Sequence, residues 1–160
     1  MRTIAIAISM TLFAAAAVAQ QAPAQKLYTS ASDVQGMIAK AKAERKDQPT
    51  IAQNLLRNAP YNVNLEYRGS VGPAAVHEKE VEVFYVVDGS GTLVTGGKLK
   101  DEKRNNADNL GGTGIEGGNS REIAKGDFFF VPANTPHWFS KINGTLVLMS
   151  LHGPANAMMH

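Results

Sequence analysis

The sequence predicts an all-β domain, a sandwich or barrel, carrying a single N-terminal helix. From Thr50 onward the apolar residues recur with period two rather than 3.6. The runs they form are short and bounded by Gly, Pro or Asn, and only one stretch, after Ser32, keeps a helical stripe. Many short strands with turn signals and one helix indicate a closed or double-sheet β architecture.

The first element is expected to be removed. Arg2 precedes an apolar run over 4–19, and Ala17-Val18-Ala19 gives the small-x-small pattern of a signal-peptidase site before Gln20. The run is short against the roughly 20 apolar residues that span a bilayer. Residues 1–19 therefore read as a cleavable signal peptide. No stable membrane anchor is expected, and the destination is periplasmic or secreted. The mature chain is long enough for one domain and too short for two. The net charge of +2 falls by one unit with Arg2, which argues against nucleic acid as a partner. There is no cysteine, so disulfides, thiolate metal ligands and thiol catalysis are all excluded.

Residues 20–49 form an extension and the helix. Ser32 before Asp33 is the expected cap. Val34, Met37, Ile38 and Ala41 make one apolar stripe that ends near Lys46, as a brace outside the barrel. The barrel domain is expected over 50–154. Val63, Leu65 and Tyr67 alternate with Asn62, Asn64 and Glu66, as in a half-buried strand. VEVFYVV (81–87) is apolar on both faces and reads as a central strand ending at Asp88-Gly89. TLVT (92–95), DFFFV (127–131) and TLVLMSL (145–151) read as further short strands. Residues 98–125, rich in Gly and Asn, read as a long loop. Its glycines precede no Gly-Lys-Ser/Thr, so it is not a phosphate loop. Ser90 is a turn residue, without the spacing of a hydrolase elbow.

Three residues stand out as candidate ligands. If 78–81 form a four-residue hairpin loop, His77 and Glu82 face each other across two strands. The same count over Pro132-Ala133-Asn134-Thr135-Pro136-His137 pairs Pro132 with His137. Phe128, Phe130 and Phe139 then wall a pocket, while Phe129, Val131 and Trp138 face away. Phe84 is expected beside that pocket as core.

These positions resemble the two motifs of the cupin superfamily. Gly69, Ala75, His77, Glu82 and Gly89 fall at the spacings of the first motif, and Gly126, Pro132 and His137 at those of the second. The sequence departs from the pattern at Ala75, which stands where a histidine ligand is expected and opens into the pocket. It also departs at Asn134, in place of a turn glycine, and at Lys141. The resemblance implies a double-stranded β-helix, or jelly-roll barrel. His77, Glu82 and His137 would hold one divalent transition metal (Fe, Mn, Cu, Ni or Zn) with open positions. It implies a small metalloenzyme acting on a small organic or sugar-like substrate, with dioxygenase-like oxidation favoured over isomerase or lyase chemistry. Glu82 would double as the catalytic proton acceptor. The alternative is a non-catalytic cupin that binds a sugar or other small molecule. A homodimer through strands of the N-terminal half, VEVFYVV among them, is the expected assembly.

Overall fold

The computed structural model describes residues 24–158, so the expected signal peptide and its cleavage site lie outside the described residues. One helix, α1 (Ala31–Glu44), precedes eleven strands: β1 (Thr50–Asn58), β2 (Tyr61–Arg68), β3 (Ala74–His77), β4 (Glu80–Thr95), β5 (Lys98–Lys100), β6 (Lys103–Arg104), β7 (Asn109–Gly112), β8 (Gly114–Glu116), β9 (Asn119–Ala124), β10 (Phe128–Val131) and β11 (His137–Pro154). All described strand pairs are antiparallel.

The helix is capped by Ser30, two residues before the expected cap. The Asp33 amide donates to Ser30 Oγ at 3.1 Å, and the Ser30 amide donates to Asp33 Oδ2 at 3.2 Å. This reciprocal box satisfies two orphan donors where Ser32 could satisfy one. The helix ends at Glu44, short of Lys46, with Arg45 as its C-cap. Its apolar stripe packs on the outer face of β1 and β2, where Ala41 joins Leu55, Leu65, Tyr67 and Val147, with Val34, Met37 and Ile38 around them.

A single long ladder organises the barrel. β4 and β11 pair from Glu80↔Pro154 to Thr95↔His137. The N-terminal half of β4 continues to β10, and the C-terminal half of β11 to β2 and β1. The other halves continue to β9 on one side and to β3, β7 and β6 on the other. The same two strands thus belong to both sheets, and they bend between them. Asp88-Gly89, expected to end a strand, and Asn143-Gly144 are the bends, and the register shifts between Ile142 and Leu146. Gly89 has φ +83°, and a Cβ there would fall on the carbonyl oxygen of Thr145, so only glycine lets the two strands stay this close. VEVFYVV and TLVT are therefore one strand. Between the sheets lies a core of Phe84, Val86, Leu93, Ile123, Val131, Phe139, Leu146 and Leu148.

Segment 98–125 is not a loop. It contains β5 through β9, in short ladders that extend the barrel sheet and form the β5–β8 pair beside it. Its polar, glycine-rich composition hid strands too short to show a period.

Candidate metal centre

The two expected hairpins do not form, yet their residues meet. β3 pairs with β7 and β11 rather than with β4, and Glu82 lies opposite His152 and Val131. His137 pairs with Ala75 and Thr95 rather than with Pro132. The short stretches read as hairpin loops are crossings between the sheets. They are tied by the Asn134 amide, which donates to the His77 carbonyl at 2.7 Å. Asn134 holds φ +58°, the left-handed conformation that its place in the motif predicts.

His77 and His137 thus come from one sheet and Glu82 from the other. Nε2 of His137 lies 3.0 Å from Glu82 Oε2, and Nε2 of His77 lies 3.6 Å from the same atom. One ligand atom from each residue lies within 4.8 Å of the others. Glu82 and His137 are buried, and His77 is partly open. Ala75 sits across from His137 on the His77 side of β3. Phe84 lies below, its ring 6.4 Å from that of His137, and Phe139 packs edge-on against it at 5.7 Å.

The ring orientations fix the protons. Asn109 Nδ2 donates to Asn106 Oδ1 at 2.9 Å, which turns its carbonyl oxygen to His77 Nδ1. His137 Nδ1 faces the carbonyl of Thr135 at 3.2 Å. Both Nδ1 atoms meet acceptors and so carry the proton, leaving lone pairs on both Nε2 atoms. Those lone pairs face Glu82 Oε2, a buried oxygen with no hydrogen-bond partner among the described residues. Three acceptors thus converge with no donor between them. A proton on Glu82 relieves this in part, and a cation relieves it fully.

The electrostatics agree. Burial, with the nearby Glu66 charge adding, pushes the Glu82 carboxyl up to about 8. Burial pushes His137 down to about 4, against the raising contact with Thr135. Neutral imidazoles and a carboxylate that gives up its proton to a competing charge are the donor set of a divalent-metal site.

Two expected pocket residues are elsewhere. Phe128 and Phe130 pair with Tyr85 and Val83 and point out of the barrel, 71% and 48% exposed. Phe129 and Val131 face inward instead, with Phe129 stacked on Phe84 at 4.9 Å. FFFV contains no polar residue to mark its outer face, and the assumed hairpin set the alternation wrongly.

Sequence reasoning missed a polar row on the inner face. Glu66 and Arg68 of β2, read as a solvent side, point inward, because Leu65 and Tyr67 are taken up by α1. Arg68 bonds Glu66 through Nε at 3.0 Å and through Nη2, and it lies over the Phe139 ring at 4.2 Å. Ser150 Oγ donates to Glu66 Oε1 at 2.6 Å. Burial raises the Glu66 carboxyl, but Arg68 and Ser150 together bring it below its usual range. His152 was also missed. Its signal was present in β11, where Leu146 and Leu148 give way on the same face to Ser150 and His152. Asn109 had no such signal inside a run of Asn and Gly.

A protein-family model described as Cupin matches residues 39–159. Comparison with curated proteins gives no match. Among solved structures, the Schizosaccharomyces pombe Cnp3 cupin domain is similar at TM-score 0.51 and 13% identity, with 69% of each chain covered. FeII HppE and the hydroxypropylphosphonic acid epoxidase from S. wedmorenis are each similar at TM-score 0.51 and 16% identity over 66% of this chain. In both cases the chain spans about half the length of that protein (51%). The motif spacings, the barrel built on a shared ladder and the matched model lead to one conclusion: the chain belongs to the cupin family.

Proposed function

We propose that this cupin binds one divalent transition metal through His77, Glu82 and His137 and acts as a small metalloenzyme on a small organic or sugar-like molecule. The observation that carries the reading is the convergence of two imidazole lone pairs and an unpartnered buried carboxylate oxygen. FeII HppE, a protein of the same fold, holds iron, which is consistent with this reading. A bound metal would supply a Lewis-acidic or redox centre with positions open to substrate. The chain's own residues hold the set rigid. Asn109 and Thr135 fix the tautomers, Phe84 and Phe139 keep the inner wall dry, and Ala75 leaves room where a longer side chain would reach in. Glu82 doubles as the proton acceptor when it swings off the metal, the raised basicity belonging to the carboxyl without a bound cation.

Titration with first-row divalent metals, together with elemental analysis of protein taken from its own compartment, tests the reading. His77→Ala and His137→Ala should each abolish binding. A wild-type affinity no tighter than about 100 μM, near −5.5 kcal/mol, would replace it with the alternative of a non-catalytic small-molecule binder. We also propose export to the periplasm or beyond, with removal of residues 1–19. The mass of that same preparation checks it, and an intact Met1 would refute it. The assembly we propose is a homodimer through the outer face of β4 and its neighbours.

A further inference from the structure

The geometry points to His152 as the positioning residue for Glu82, a third imidazole set against the carboxylate oxygen that the two ligand histidines do not face; the inference rests on the metal reading above. His152 stands directly opposite Glu82 in the β4–β11 ladder, so both side chains leave the same face. Its Nε2 lies 3.4 Å from Glu82 Oε1, the oxygen that the histidine pair does not face. Its ring meets that of His77 edge-on, with centroids 5.6 Å apart.

The proton on His152 is placed by its neighbours. Nε2 also lies 3.4 Å from Ser150 Oγ. That hydroxyl spends its own proton on Glu66 Oε1 at 2.6 Å, so it can only accept from His152. With Glu82 ionised, as a metal ligand is, Nε2 faces two acceptors at 3.4 Å and Nδ1 one at 3.6 Å, and the proposal places the hydrogen on Nε2. On its other side, Nδ1 lies 3.6 Å from Glu80 Oε2 at the rim. A donor 3.4 Å from Oε1 would restrain the rotation of the carboxylate and keep its Oε2 facing the two lone pairs. His152 does for the glutamate what Asn109 and Thr135 do for the histidines. Orienting contacts of this kind typically change metal affinity by about 10–100-fold.

The test compares Co(II) binding by wild type, His152→Leu and His152→Gln, read as affinity and as the visible absorption of the bound ion. Leucine fills the space but cannot donate, whereas the glutamine amide can donate to the same oxygen. The leucine variant should bind about 10–100-fold more weakly with an altered spectrum, and the glutamine variant should recover most of both. A purely structural role would lower the melting temperature without this rescue. If the leucine variant does not fold, His152→Asn, whose amide stops short of Glu82, takes its place against glutamine. Wild-type affinity and spectrum in the non-donating variant would overturn the proposal. So would a Cu(II) resonance spectrum showing three coupled nitrogens in wild type and two in the variant, because His152 would then be a ligand. Failure of wild type to bind Co(II) at all would instead remove the metal reading and this inference with it.

Discussion

At Glu82 the chain carries a group that titrates with opposite consequences in the folded and unfolded states. Its carboxyl sits at about 8 in the fold against 4.5 when unfolded, because burial disfavours the charge. The folded state therefore holds a proton that the unfolded chain releases. The resulting stability is complete below pH 4.5 and is lost as pH rises towards 8. His137 works the other way, at about 4 against 6.5, so its contribution is present above 6.5 and lost as pH falls towards 4. The two trends oppose each other at mildly acidic pH, and above 6.5 only the Glu82 effect remains. Metal-free protein should thus melt at a lower temperature at pH 8 than at pH 6.5, and Glu82→Gln should remove most of that difference. A divalent metal should reverse the trend, stabilising more at pH 8, where it has less proton to displace. Melting curves with and without metal at the two pH values check both trends. An unchanged slope in Glu82→Gln would show that the carboxyl is not the source.

At the scale of elements, β4 and β11 carry most of the design, and they were also where the sequence misled. Asp88-Gly89 and Asn143-Gly144 have the composition of turns. They act as bends because Gly89 pairs with Leu146 while Asn143-Gly144 falls in the adjoining register shift of one continuous ladder, a tertiary arrangement that no local pattern encodes. Gly89→Ala should therefore be severely destabilising, since its Cβ would meet backbone at a left-handed φ. Gly126→Ala, at φ +96° with open space around it, should cost only the conformational strain and serves as the comparison. Equal melting temperatures for the two variants would contradict the role of Gly89 in the bend. The identities of His77, Glu82 and His137 were legible because their motif spacings survive, although the hairpins invoked to bring them together do not exist. The capping box and the outward Phe128 and Phe130 were misread by local alternation and short-range rules. Glu66, Arg68 and His152 escaped because a polar face usually means solvent, and here it lines the inside of a barrel whose apolar face is covered by α1.

At the scale of the whole molecule, the outer face of β2, β11, β4 and β10 leaves an apolar surface uncovered among the described residues. Val63, Leu151 and Val83 align across β2, β11 and β4, with Phe130 next in the row. Beside them Tyr85 packs on Phe128 at 4.6 Å. Val63, Val83, Tyr85, Phe128, Met149 and Leu151 line a hollow of about 240 Å3 there. Beyond Phe128 and Phe130, β10 ends the sheet as an edge strand that, among the described residues, pairs only with β4. Such a face invites association. A second copy of the chain, placed over it, would bury both exposed phenylalanines. Light scattering should give a mass of two chains at micromolar concentration, and Phe128→Asp should give one chain with its circular dichroism unchanged. A single-chain mass for the wild type would dismiss the dimer.

The shared ladder also sets the order in which the chain could acquire a metal at this site. Glu82 and His137 lie more than fifty residues apart, and nothing nearer in the chain brings them together. Contacts of this sequence separation are slow to form, because loop closure must precede any reward from the contact. A nascent or extended chain therefore presents isolated histidines and carboxylates and has no chelating power worth the name. Specific capture waits for β11 to zip along β4, the last long strand to emerge. An ion bound there would be drawn from the pool present wherever that zipping finishes, and protein refolded in a test tube should report the metal of its buffer.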